Sequence, residues 1–333
     1  MSRKVKWGVL GGAGIARKQW VPGLLDASNA VFYAIGSRNL DKAKDFAAEF
    51  GGVKAYGSYE EVLADPEVEA VYIPLPNHLH KEWTIKALRA EKHVLCEKPM
   101  ALTVADCDGM LKTVKEEQML FMEGFMYRFH PQISKTLEWI KGGRIGDVRL
   151  IRGSFSFPLD NEQDIRLNAE AGGGSLMDVG CYPIHFSNLV YGKPPQSVMA
   201  QGHYKDGGKL DLSMVGILNY DHGQQAVFDC SFAMEDRQWV EIMGSEGTII
   251  IPKPWRPDRA EVSIFVRNGN ITEEIAFPVS NPYQLEIEHF SSCIIDGTTP
   301  LMPGEMGKDV VAVIQACHQS ARERSEIQVA NTN

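Results

Sequence analysis

The segment that most restricts what this chain can become is Gly8-Val9-Leu10-Gly11-Gly12-Ala13-Gly14-Ile15-Ala16. In it an apolar strand pattern, Val5 to Leu10, passes through a glycine-rich turn into a helical pattern, Gly14 to Ala27. A second strand pattern, Val31 to Ile35, and a helix from Leu40 to Glu49 complete a βαβ unit. The alternation continues with strands at Lys54 to Tyr56, Ala70 to Ile73, His93 to Cys96 and Met119 to Gly124. Helices at Tyr59 to Ala64, His78 to Ala90 and Thr103 to Gln118 separate them. A helix in each crossover returns the chain in the same sense, so this half is expected to be a parallel sheet clothed in helices, a Rossmann-type α/β domain.

After Phe125 the texture changes. A helix from His130 to Lys141 leads into a strand, Val148 to Phe157, and a Gly-rich helical segment follows. Strands are then predicted at Ser197 to His203, Leu210 to Tyr220, Gln224 to Phe232, Trp239 to Met243, Thr248 to Ile251, Val262 to Val266 and Glu273 to Phe277. Turn signals such as Asp206-Gly207-Gly208, Asp221-His222-Gly223 and Asn268-Gly269-Asn270 join them, which predicts an α+β domain with a large, open, mainly antiparallel sheet. One face of that sheet would carry the domain's own helices, leaving the other to water or to a second subunit. Helices return at Leu285 to Ile295 and Gly304 to Glu323. Residues 1–125 are thus expected to form a nucleotide-binding domain and residues 126–333 a substrate-binding and oligomerisation domain. The last helices are expected to pack back on the first domain.

Composition excludes several classes of partner. A net charge of −9, with the basic residues scattered, argues against nucleic acid. Cys96, Cys107, Cys181, Cys230, Cys293 and Cys317 are too far apart for a zinc site and read as reduced thiols of a cytoplasmic protein. Met1-Ser2-Arg3-Lys4 runs straight into the first strand pattern, and no apolar stretch is long enough to span a membrane.

The glycine-rich turn fits G-x-G-x-x-A on Gly11, Ala13 and Ala16, with Ala13 adding a methyl where glycine is usual and with Gly12 and Gly14 keeping the loop compliant. A helix amino terminus at Gly14 and Ile15 would face a pyrophosphate. The second strand ends in Gly36-Ser37-Arg38-Asn39, without the carboxylate that grips the ribose of NAD. A 2′-phosphate there would meet the Ser37 hydroxyl and the Arg38 guanidinium, so NADP is the expected cofactor and NAD the alternative. Alternatively, Ser37 or Asn39 caps the next helix and Arg38 is solvated. His93-Val94-Leu95-Cys96-Glu97-Lys98-Pro99 then sets an ammonium at the carboxyl edge of the sheet, where open α/β folds bind ligands.

With GVLGGAGIA (Gly8 to Ala16), GSRNLDKA (Gly36 to Ala43), IPLPNHLH (Ile73 to His80), HVLCEKP (His93 to Pro99), MEGFMYRFHP (Met122 to Pro131) and GGGSLMDVGCY (Gly172 to Tyr182), the chain resembles the Gfo/Idh/MocA family. That family is named for glucose-fructose oxidoreductase and inositol 2-dehydrogenase, and the match runs in order to about Gly192. Tyr182, where many relatives carry histidine, is similar to the branch with dimeric dihydrodiol dehydrogenase and the D-xylose-oxidising aldose dehydrogenases. The resemblance implies a homodimer or higher homo-oligomer through the open sheet face, a cis Lys98-Pro99 peptide, and a sugar or polyol substrate. It also implies a cofactor held by Gly11, Gly12, Ala13, Gly14, Ile15, Ser37, Arg38, Pro74, Leu75, Asn77, His80, Glu97 and Lys98.

The expected chemistry is hydride transfer between nicotinamide and a carbon bearing a hydroxyl. The sharpest version is an aldopyranose oxidised to a lactone; alternatives are oxidation of a trans-dihydrodiol, reduction of a sugar ketone, or a non-catalytic NAD(P)-binding regulator. Tyr182 would take the hydroxyl proton, its acidity raised by the Lys98 ammonium, which would also steady the reacting oxygen. Asp178, four residues before Tyr182, would share its helix face and orient Lys98 or a substrate hydroxyl, with His185 one turn further along. Pro183 should kink or end that helix. Tyr127, Arg128 and Arg166 are candidates for the substrate pocket, Arg166 alternatively for an interdomain salt bridge. His78 and His80 open a helix and have no third ligand, so no metal is expected.

Overall fold

The structure, a computed structural model, describes residues 3–257 and 260–330. The chain divides into two compact units. The first runs to Met126 and takes in Asn281–Gly307; the second holds Tyr127–Ser280 and the chain from Lys308 on.

In the first unit β1 (Val5–Leu10) leads through the glycine turn and a π-helical turn, Ala16–Trp20, into α1 (Val21–Asp26). Then come β2 (Ala30–Gly36), α2 (Leu40–Glu49), β3 (Lys54–Tyr56), α3 (Tyr59–Ala64), β4 (Ala70–Ile73), α4 (His80–Arg89), β5 (His93–Glu97), α5 (Val104–Glu117) and β6 (Phe121–Gly124). All six strands pair in parallel in the order β3-β2-β1-β4-β5-β6, as the alternation of patterns predicts. β4 and β6 are buried along their whole length, because helices cover both faces of such a sheet. The order reverses between β1 and β4, so ligands are expected beyond the carboxyl ends of these strands. An aromatic core stands below that edge: Trp20 stacks on Tyr72 with centroids 4.1 Å apart, and Trp7 meets Trp20 edge-on at 5.3 Å.

The second unit begins with α6 (Pro131–Lys141), β7 (Val148–Ser156), a π-helical turn Leu176–Gly180 and α7 (Cys181–Tyr191). There follow β8 (Ser197–Lys205), β9 (Leu210–Asn219), β10 (Gln225–Ser231), β11 (Arg237–Gly244), β12 (Thr248–Ile251), β13 (Val262–Asn268) and β14 (Ile271–Phe277). α8 (Pro282–Asp296) belongs to the first unit, α9 (Gly304–Glu323) enters the second at Lys308, and β15 (Ile327–Gln328) closes the described chain. The nine strands lie in the order β14-β13-β12-β11-β7-β10-β9-β8-β15, and every pairing is antiparallel except β7 with β10. β9 alternates as a half-covered strand should: Met214 and Leu218 are buried, Val215 and Ile217 exposed. Met199 on β8 and Trp239 on β11 are exposed as well.

Of the two outcomes expected for Pro183, a kink or an end, the structure does not show the second: its helix continues. Pro183 is the third residue of α7, directly after the π turn, and the backbone stays helical on both sides of it. Pro22 near the start of α1 also follows a π turn. A π turn displaces the i→i−4 ladder, so a residue with no N–H can be accommodated where that ladder is interrupted. Among the described residues no helix is long and apolar enough to cross a membrane, and all six cysteines are buried thiols.

Candidate functional site

The glycine turn is shaped by backbone requirements. Gly11 has φ +106°, and a Cβ there would stand 3.0 Å from Leu75 Cδ2 and 3.4 Å from the Tyr59 hydroxyl. Its N–H donates to Gly36 O at 2.9 Å, tying the turn to the end of β2. A Cβ on Gly14 would meet nothing within 4 Å, so the turn opens to space on that side. The first helical bond runs from Arg17 N–H to Ala13 O, which leaves the N–H groups of Gly14, Ile15 and Ala16 without acceptors inside the helix. Such an end suits a pyrophosphate.

At the end of β2 the capping task falls to Asn39, whose side chain accepts from Asp41 N–H at 2.9 Å and Lys42 N–H at 3.1 Å. Ser37 Oγ accepts from Asn39 N–H at 3.3 Å. Exposed Arg38 stands near Tyr59, the tyrosine that meets Gly11: burial raises the pKa of that phenol, and the Arg38 charge opposes the rise. Gly36-Ser37-Arg38-Asn39 therefore borders the glycine turn with one cation, two neutral polar side chains and no carboxylate. These residues fit a dinucleotide with a 2′-phosphate.

Beyond β4 and β5, Pro74 and Leu75 are buried, and Asn77 opens a short 3₁₀ turn, Asn77–Leu79. His80 is fully buried; its Nε2 lies 2.7 Å from Leu75 O and its Nδ1 2.9 Å from Pro99 O. Both ring nitrogens thus face main-chain carbonyls. Burial pulls its imidazole pKa down against the two carbonyls, and the Lys98 charge adds to the fall. Glu97 accepts from the Tyr72 hydroxyl at 2.5 Å, Lys98 is half-buried, and the Lys98-Pro99 peptide is cis. Glu123 on β6 is fully buried, and its Oε1 accepts from Met100 N–H at 2.7 Å. Burial pushes this carboxyl up to about 8, against the pull of Met100 N–H and the Lys98 ammonium. The sequence reading passed over Glu123, although a charged residue in a fully apolar parallel strand is itself a signal.

In the second unit Tyr182 is buried, its ring among Phe155, Tyr127 and Trp255 at centroid distances of 5.3, 5.7 and 5.9 Å. Tyr127 and His185 are fully buried behind it, their hydroxyl and Nδ1 2.5 Å apart, and burial drives the His185 pKa down to about 3. Half-buried Arg128 lies close enough to contribute to that fall. Asp178 lies in the π turn, so four residues no longer make one α-helical turn to Tyr182; its Oδ2 accepts from Arg166 Nε at 2.9 Å. Arg166 also pairs with Asp164, and both carboxylates belong to its own unit. Trp255, fully buried with its Nε1 donating to Ser154 O at 2.9 Å, was not marked by any sequence pattern because it sits in a loop.

A parallel sheet in the order 3-2-1-4-5-6, with a glycine turn after its first strand and a second, mainly antiparallel unit in the same chain, defines a dinucleotide-binding α/β protein. The model of an oxidoreductase family with an NAD-binding Rossmann fold, GFO/IDH/MocA, matches residues 5–125, and that of the GFO/IDH/MocA C-terminal domain matches residues 133–250. The chain belongs to the GFO/IDH/MocA family, as its motifs imply. It is 34% identical to D-xylose 1-dehydrogenase (NADP(+)) 2 of Haloferax volcanii, over 97% of this chain and 99% of that one. Among solved structures it is similar to an aldose-aldose oxidoreductase of Caulobacter crescentus complexed with glycerol (TM-score 0.91, 27% identity, 98% and 100% of the two chains). It is also similar to a 3-ketoreductase of Actinomadura kijaniata in complex with NADP and TDP-benzene (TM-score 0.89, 29% identity, 96% and 98%).

Proposed function

We propose that this protein is an NADP-dependent oxidoreductase that oxidises a hydroxyl of a sugar or cyclic polyol, most specifically the anomeric carbon of an aldose to a lactone. The observation that carries the cofactor choice is the carboxylate-free end of β2, where Ser37 and Arg38 border the glycine turn. The xylose dehydrogenase and the aldose-aldose oxidoreductase, each matched over nearly the whole chain, support the substrate class. The similarity to a ketoreductase supports the reverse reaction, reduction of a sugar ketone, as a second reading. Oxidation of a trans-dihydrodiol remains a third.

When bound, the nicotinamide supplies the hydride acceptor or donor. The N–H groups of Gly14, Ile15 and Ala16 would hold the pyrophosphate, with Gly11, Gly12 and Ala13 shaping the turn before them, and Arg38 with Ser37 would bind the 2′-phosphate. Tyr182, as tyrosinate, would take the hydroxyl proton in the oxidation and, as the phenol, would return it in the reverse direction. Its ring is fixed by Tyr127, Phe155 and Trp255, so the hydroxyl is held in one orientation. The Lys98 ammonium stabilises negative charge on the reacting oxygen. Asp178, Arg166 and Arg128 orient substrate hydroxyls. Two or more copies associate through the exposed face of the nine-stranded sheet, and the compartment is the cytoplasm.

The test is a screen of aldoses, inositols and dihydrodiols with NADP and with NAD, read at 340 nm. An aldose with NADP is expected to give the highest rate, and Tyr182→Phe to lower kcat by about 10²-fold or more. Tight NADP binding with no absorbance change for any polyol or carbonyl compound would instead point to a non-catalytic sensor.

A further inference from the structure

Pro99 C=O and Met100 N–H are the two polar ends of a single peptide unit, the first after Lys98-Pro99. Pro99 is buried and Met100 fully so, which means this peptide cannot rely on solvent for its partners. Each end meets a buried ionisable side chain from a different element: His80 Nδ1 lies 2.9 Å from Pro99 O, and Glu123 Oε1 accepts from Met100 N–H at 2.7 Å. A main-chain acceptor or a glutamine would satisfy Met100 at a smaller desolvation cost than a carboxyl. The carboxyl has no room to withdraw, because Gly307 of α9 closes the space behind it. A Cβ on Gly307 would fall 2.3 Å from Glu123 Oε2 and 2.7 Å from Met100 Sδ. The other ring nitrogen of His80 lies 2.7 Å from Leu75 O, so one imidazole stands between the turn after β4 and the turn after β5 and can donate to only one of the two carbonyls when neutral. A neutral ring donates through one nitrogen, and the Nδ1–H form is the one that holds Pro99.

We propose that His80 and Glu123 are positioning residues for Lys98: they hold the Pro99–Met100 peptide at its carbonyl and its N–H and so fix the backbone from which the ammonium extends. Neither side chain needs to touch substrate or cofactor. The inference rests on the reading of Lys98 as the group that steadies the reacting oxygen. Displacing such a group by about 1 Å lowers turnover on the order of 10²-fold.

Glu123→Gln and Glu123→Leu separate this role from general support of the core. Both are uncharged at every pH and similar in size, but only the glutamine keeps an acceptor for Met100 N–H. The expected result is a kcat about 10²-fold down in Glu123→Leu and within about fivefold of the parent in Glu123→Gln, with the KM for NADP within about twofold in both. Hydrogen exchange at the Met100 amide supplies a readout independent of turnover: protection is kept in the glutamine variant and lost in the leucine variant. At the other end, His80→Asn, whose amide stands near the place of Nδ1, is expected to retain more activity than His80→Leu. Equal kcat in the two Glu123 variants, or a protected Met100 amide in both, overturns the proposal. If Glu123→Leu does not fold, Gly307→Ala presses the same carboxyl from behind, and an unchanged kcat there overturns it equally. Lys98→Met distinguishes the two levels. Full turnover in that variant removes the reading of Lys98 itself, whereas an inactive Lys98→Met beside equally active Glu123 variants removes only the positioning.

Discussion

A carboxyl that burial raises from 4.5 to about 8 makes Glu123 a source of pH-dependent stability. The folded protein holds that proton at pH values where the unfolded chain has released it. Its contribution is therefore fully present below about pH 4.5 and is lost as the pH rises through about 8. Glu123→Gln, which cannot titrate, is expected to narrow the loss of stability between about pH 5 and pH 9 by on the order of 3 kcal/mol, measured by urea unfolding at both values. A variant whose stability falls with pH as steeply as the parent's would show that another group titrates. Arg38 carries a second prediction at this scale. Arg38→Ala is expected to raise the KM for NADP about 10- to 100-fold and that for NAD by no more than about threefold, because a charge-assisted pair to a phosphate contributes about 1.5–3 kcal/mol. Equal losses with both cofactors would return Arg38 to its Tyr59 contact alone.

Elements were more legible than the contacts between them. The βαβ series could be read because parallel strands are continuous apolar runs and their crossover helices are amphipathic, and the six strands of the first sheet lie where those patterns predict. Two π turns were not legible, since nothing in local propensity marks an extra residue in a helix. Their presence changes how Pro22 and Pro183 must be read. β15 escaped notice for a different reason: two residues have no periodicity. The π-turned helix is also tightly packed, since a Cβ on Gly153 of β7 would stand 2.7 Å from Pro183 Cβ. Gly153→Ala is expected to cost about 1–3 kcal/mol by overpacking, seen as a fall in Tm of several degrees. If the melting temperature holds, α7 can slide on the sheet and Tyr182 is less rigidly placed than its aromatic neighbours suggest.

For the whole molecule, the exposed face of the nine-stranded sheet carries Met199, Val215, Ile217 and Trp239, each at least 39% exposed. Apolar side chains gathered on one face of a sheet favour association with a second copy. Ile217→Glu is expected to shift the mass in solution towards that of the 37.0 kDa chain, measured by light scattering, while leaving the far-ultraviolet spectrum unchanged. A parent that is already monomeric at micromolar concentration would remove this face from consideration. The sequence by itself determined the order and kind of the elements, the glycine turn, the absence of a carboxylate after β2 and the family, because each is written in contiguous residues and local periodicity. Tertiary structure decided what those residues face. It put the phenol of Tyr59 against Gly11 and Arg38, and His80 and Glu123 on the two ends of one peptide; it put Arg166 on Asp178, and Tyr127 on His185. These are pairs whose members lie on separate segments of chain, and only the closing of the fold, driven by burial of apolar faces, brings them together.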